Sequence, residues 1–104
     1  MAAPYNPPKK NEDFLFAVFL EDMALSGTFK VAPTIAAGDF QVSKDYGAFA
    51  NLTTLPDQEP DSTDLVRVQM SSTEMNADVV VVRWKDQTTP KEWADGAYVI
   101  LTTA

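Results

Sequence analysis

Carboxylates are the residues of this chain whose type and spacing could do chemistry. Asp57, Glu59, Asp61 and Asp64 recur at short intervals in LPDQEPDSTD. Alternate carboxylates aimed the same way could offer a hard cation such as calcium its oxygen ligands. Pro60 interrupts the run, and no Gly stands where an EF-hand type of loop needs its sharp turn. No bidentate Glu follows at the required distance either, so a solvated loop is the better reading. Asp39 and Asp45 form a second pair, and two carboxylates flanking a sugar could cleave a glycosidic bond. Such spacing arises by chance in any acidic chain, and no long loop beside them could roof a pocket that shifts a pKa. His and Cys are both absent. That removes a Ser-His-Asp triad, a Cys nucleophile, a thiolate zinc site and any disulfide framework. The sequence assigns no catalytic residue, no cofactor and no metal, and it reads as a non-enzyme.

Exposed aromatic rings can form a carbohydrate platform, and Tyr46, Trp84, Trp93 and Tyr98 are the candidates. Trp84 continues a run of valines and reads as core. Trp93 follows Pro90-Lys91-Glu92 and reads as a plug at the end of the domain. Tyr46 lies in a turn and is the ring best placed for contact.

The elements that must position these residues are strands. DFLFAVFL, residues 13–20, puts Phe14, Phe16, Val18 and Leu20 on one face and Leu15, Ala17 and Phe19 on the other, a composition that favours a strand covered on both sides. Residues 21–38 are mainly connection, with Phe29 and Val31 as candidates for a short strand. DFQVSK then alternates, with Phe40 and Val42 inward and Gln41 and Ser43 toward solvent. The turn Lys44-Asp45-Tyr46-Gly47, with Gly47 suited to positive φ, returns into AFANL, so residues 39–52 form a hairpin. Residues 55–64 are a polar loop. LVRVQM alternates with Val66, Val68 and Met70 on one face, and Ser71-Ser72-Thr73-Glu74 has capping-box spacing and opens one helical turn. VVVVRW needs cover on both faces, KDQTTPKE is a connecting loop, and AYVILTT is the last strand.

About seven strands and no long helix predict an all-β, immunoglobulin-like β-sandwich over residues 13–104. The likeness is one of architecture, because the tyrosine corner and the Cys-Trp-Cys set are missing. Residues 1–12, MAAPYNPPKKNE, are set apart as an arm, since Pro4, Pro7 and Pro8 fix φ and remove donors, favouring an extended course. The 104 residues suffice for one core. The net charge of −7 argues against a surface that tracks nucleic-acid phosphates. The longest apolar stretch, Phe14 to Leu20, is too short for a membrane span, and no basic segment precedes it as in a signal peptide. A soluble protein made in the cytoplasm is expected, with neither nucleic acid nor membrane as partner.

Three segments, PTIAAGDFQVSKDYGAFANLTTLP, VQMSSTEMNADVVVVRW and EWADGAYVILTT, resemble a family of small virion structural proteins of tailed bacteriophages. The resemblance covers roughly residues 13–103, and its most specific pieces are AGDFQVSKD-x-GAFANL, SSTEMNAD and the closing strand. The family's turn more often carries two glycines where this chain has Tyr46-Gly47, and the Pro-rich arm lies outside the family pattern. The resemblance implies a structural role with an immunoglobulin-like fold, as a head-decoration, minor capsid or fibre-associated protein, and it offers no catalytic residue to carry over. The expectation is a capsid decoration or cement protein of the virion. It would dock on the major capsid protein or other virion proteins through Tyr5, Pro7, Pro8, Lys9 and Lys10 and the adjacent strand, with Tyr46 exposed elsewhere and homo-oligomers possible in the particle. A tail or fibre-base adaptor and a host-surface carbohydrate-binding module are the alternatives.

Overall fold

The computed structural model describes residues 8–58 and 64–103. Among these the chain forms seven strands: β1 (Phe14–Phe19), β2 (Phe40–Lys44), β3 (Ala50–Asn51), β4 (Asp57–Gln58), β5 (Leu65–Met70), β6 (Val79–Trp84) and β7 (Gly96–Leu101). They make two sheets, one ordered β1-β5-β4 and the other β3-β2-β6-β7, with every pairing antiparallel. The expected β-sandwich is what the chain adopts.

Alternation builds the core. Val66, Val68 and Met70 of β5 are buried, and they face Phe40, Val42, Val80, Val82 and Ile100 of the other sheet. Each such side chain taken out of water stabilises the fold by about 1.5–3 kcal/mol. The chain passes from one sheet to the other at the capping box. The Ser71 amide donates to Glu74 Oε1 at 2.8 Å, the Glu74 amide donates to Ser71 Oγ at 3.2 Å, and the Met75 amide closes the turn on Ser71 O at 3.0 Å. Met75 then drops into the core with no exposed surface. Trp84 lies against Phe40, ring centroids 5.6 Å apart, and it occupies the space a Cβ on Gly96 would need.

Several local expectations are corrected. Positive φ falls on Asp45 (51°) and Tyr46 (63°) rather than on Gly47. Two left-handed residues in succession make the turn whose twist matches a hairpin. Gly47 relieves crowding instead, since a Cβ there would sit a tight 3.1 Å from Lys44 O. Ser43 is buried, not solvent-facing, because its hydroxyl donates to Gly47 O at 2.8 Å. Phe29 makes a single antiparallel bridge with Glu21 in place of a strand, and Val31 is exposed. The polar loop at 55–64 contains β4, which β5 recruits through Asp57↔Arg67 and Gln58↔Val66.

β1 buries Phe14 and, just beyond its end, Leu20, while Phe16 and Val18 pack on the core. The second face is partly covered from within the chain: Phe19 stacks on Phe29 with centroids 4.6 Å apart. Trp93 is core, fully buried, its Nε1 donating to Thr34 O at 3.2 Å.

Candidate interaction surface

The described part of the arm is rooted on the sandwich. Lys9 bridges Thr103 in parallel register, the Thr103 amide donates to Pro8 O at 2.9 Å, and the Lys10 amide donates to Thr103 O at 2.9 Å. The Asn11 amide reaches Met75 O at 3.0 Å, and Lys10 Nζ pairs with Asp78 at 2.6 Å. Hydrogen bonding to Asp78 and its charge, with Asp45 adding to them, hold the Lys10 ammonium above its ordinary 10.5. Tyr5 and Pro7 lie outside the described residues.

Tyr46 belongs to this same pole, which corrects the expectation that it sits elsewhere. Asp45 Oδ1 accepts the amides of Asp78 and Val79 at 3.0 and 3.1 Å. The turn that presents Tyr46 is thereby tied to the residue that Lys10 holds. Pro8, Lys9 and Lys10 and the 76% exposed Tyr46 therefore share one end of the molecule. No described ring pair includes Tyr46.

The opposite pole is apolar. The loop after β1 exposes Met23, Leu25, Phe29 and Val31 beside Phe19. It is fastened to the β6–β7 connection by the Met23 amide on Glu92 O and the Ala94 amide on Glu21 O, each 2.9 Å.

Two of the carboxylates weighed for chemistry, Asp39 and Asp45, are spent on backbone amides. Asp39 and Asp45 stand at opposite ends of β2, and the structure does not bring them together. Asp39 is buried and accepts the amides of Ala36 and Gln87 at 2.9 and 3.1 Å. Asp57 pairs with Arg67 at 3.4 Å, Glu59 and Asp61 lie outside the described residues, and the described residues hold no metal-type cluster. Trp84 and Trp93 pack on Phe40, and Tyr98 packs on Phe16 with centroids 4.9 Å apart.

Asp86 was not singled out from sequence, although Asp86-x-Thr88 is the spacing of a side-chain turn. Its Oδ1 accepts the Thr88 amide and hydroxyl at 2.9 and 2.6 Å, and Oδ2 accepts the Glu92 amide at 2.6 Å. Burial alone would push this carboxyl up, but the bonds from Thr88, Glu92 and Trp93 outweigh it and hold it below its ordinary 3.8. A depressed carboxyl contributes stability that is complete above the unfolded pKa and is lost as pH falls through the folded one. In thermal melts, wild type is expected to exceed Asp86→Asn by a constant margin above about pH 5, shrinking below about pH 4. A margin that stays level down to pH 2 would remove the Asp86 assignment.

The long edges of both sheets, β1 (FLFAVF) and β7 (GAYVIL), carry no charge. Arg83, Gln41 and Phe49 dress the outer face of β2 and β6: Arg83 Nη2 donates to Gln41 Oε1 at 2.8 Å, and its guanidinium lies 3.7 Å from the Phe49 ring centroid. β7 has no such cover among the described residues, and it exposes Tyr98, Val99 and Leu101. Sequence reading identified this strand but not its edge position; a six-residue run without a charge or proline was the available signal. Compared with family models, curated proteins and solved structures, the chain matches none.

Proposed function

We propose that this chain is a structural protein of a tailed-phage virion that decorates or cements the head. It docks on the major capsid protein through segment 1–12 and the neighbouring β1. The observation that carries this reading is the rooted arm: residues 8–11 are bonded to Thr103 and Met75 at one pole of a compact sandwich, next to exposed Tyr46. A fixed root lowers the entropy that an arm loses on docking. Weak contacts suffice in a shell, because symmetry repeats them and linkage raises their effective concentration. The net charge of −7 suits a place away from packaged DNA. The resemblance of the middle and closing segments to small virion proteins supplies the setting.

The apolar pole opposite the arm favours a second reading, an adaptor at the tail or fibre base that joins two different proteins. Heads and tails separated from virions and blotted for this chain distinguish the two. Strong signal in heads is expected; signal confined to tails would replace the first reading by the second. Deleting residues 2–7, which spares the bonded root, is expected to leave circular dichroism and melting near wild type and to abolish binding to heads. Full binding by that truncation would sink the arm's role.

A further inference from the structure

We infer that the apolar pole built by the loop after β1 is a docking surface for a basic amphipathic segment of another protein. Such a segment sets a row of apolar side chains against the loop and places Lys or Arg beside them. The inference rests on this pole alone, so it stands whichever place the chain takes in a virion.

Phe19, Met23, Leu25, Phe29 and Val31 are all exposed within residues 19–31. Single apolar side chains at a surface are ordinary, but a contiguous group marks a contact surface. The backbone beneath this group is fixed. Glu21 and Phe29 bridge antiparallel, and the Asp22 amide donates to Thr28 O at 2.9 Å. At the tip Gly27 takes the left-handed region, φ 89°. Its amide and the Ser26 hydroxyl donate to Glu21 Oε2 at 3.1 and 3.3 Å. The Ala24 amide donates to Asp22 Oδ1 at 2.8 Å, and the Thr28 hydroxyl donates to Leu25 O at 2.7 Å. Met23 and Leu25, 51% and 63% exposed, therefore stand on a turn held by its own hydrogen bonds. A surface ordered in advance loses little entropy on binding.

Charge decides the occupant. Glu21 and Asp22 belong to the loop, and Glu92 joins them by accepting the Met23 amide on its carbonyl and the Thr34 amide on Oε1 at 3.3 Å. Each of these carboxylates spends one oxygen on backbone and, among the described residues, leaves the other open. Lys30 is the one cation in residues 19–31, and the neighbouring Lys91 is already paired with Asp95. Three carboxylates against one ammonium favour a partner that brings cations to the rim. A second copy brings the same carboxylates and a net charge of −7, so like charges oppose self-association through this face.

Three labelled synthetic peptides titrated with the full chain read the interaction by fluorescence anisotropy. One is an amphipathic Leu/Lys helix, one replaces its Lys by Glu, and one replaces its Leu by Ser. The Leu/Lys peptide is expected to bind at least about tenfold tighter than either of the others. Met23→Ser and Leu25→Ser are each expected to weaken it by about tenfold. Glu21→Gln and Asp22→Asn keep the acceptor oxygens that hold the loop and remove the charges, so together they weaken the Leu/Lys peptide while melting stays near wild type. Leu101→Ser, which removes an exposed apolar side chain from β7, leaves binding unchanged. Equal affinity for the Leu/Lys and Ser/Lys peptides, or loop variants that bind like wild type, would overturn the proposal. Three other occupants would overturn it too. A dimer of the chain alone that Leu25→Ser dissociates makes the occupant a second copy. Loop-dependent binding to phosphatidylcholine vesicles without peptide preference makes it a lipid surface. A several-fold gain in peptide affinity on deleting residues 2–7 makes it the chain's own arm.

Discussion

Replacing Trp93 by alanine is expected to lower the unfolding free energy by about 3–5 kcal/mol. The indole has no exposed surface, packs on Phe40 with centroids 5.9 Å apart, and donates from Nε1 to Thr34 O at 3.2 Å. Its backbone bridges Asp22, so one residue ties together the connections 20–38 and 85–95. Truncation leaves a cavity, an orphaned carbonyl and two loops without their shared post. Small domains retain only about 5–15 kcal/mol in total, so Trp93→Ala should bring the urea midpoint close to zero denaturant. Trp93→Phe keeps most of the volume but loses the bond to Thr34, and it belongs between the two. If Trp93→Ala unfolds at the wild-type midpoint with an unchanged slope, the indole is not the post described here.

Removal of the Glu74 carboxylate comes next. Oε1 accepts the Ser71 amide at 2.8 Å and Oε2 accepts the Thr53 amide at 2.8 Å, and the residue is buried. Each bond to a charged acceptor is worth about 1.5–3 kcal/mol, and a buried amide left unpaired costs its desolvation. Glu74→Ala is expected to cost about 3 kcal/mol or more, with the loss concentrated where the chain crosses between sheets. Glu74→Gln separates the two bonds, because an amide side chain offers one acceptor oxygen and a donor group in place of two acceptors. It should retain roughly half of the stability difference. Hydrogen exchange at Ser71 and Thr53 provides the local check: both amides gain exchange in Glu74→Ala. Protection that survives at both would contradict the assignment.

These two residues also show what the sequence could reveal. Glu74 was legible, because a capping box is a local pattern with one physical solution, and Ser71-x-x-Glu74 adopts it. The inward faces of β5 and β6 were legible for a similar reason: period-two alternation in LVRVQM and the valine run leave a strand little choice of face. Other features depend on residues far apart in the chain. Asp57 and Gln58 have little strand preference and become β4 because β5 supplies partners. Ser43 reads as solvent-facing until the turn returns Gly47 O to its hydroxyl. Left-handed backbone at Asp45 and Tyr46 contradicts the glycine rule locally, and Asp45 compensates by accepting two amides from residues 78 and 79. The pole shared by Tyr46 and Lys10 runs through Asp78, and no window of sequence contains all three. Trp93 was placed at the end of the domain from its neighbours; its full burial and its hold on the loop after β1 came from tertiary structure.

The lengths of the outermost strands have a consequence for assembly. In one sheet the outer strands are β3 and β7, and in the other they are β4 and β1. Among the described residues β3 and β4 run for two residues each, against six for β7 and β1. A two-residue strand offers too little ladder to recruit a neighbour. Among the described residues each sheet thus presents one long side along which it could be joined. Fibre growth needs divalent units that hand the same contact on indefinitely. Growth within one sheet therefore stops after a single long-edge joint, and a filament would need β1 and β7 of the same chain to be joined at once.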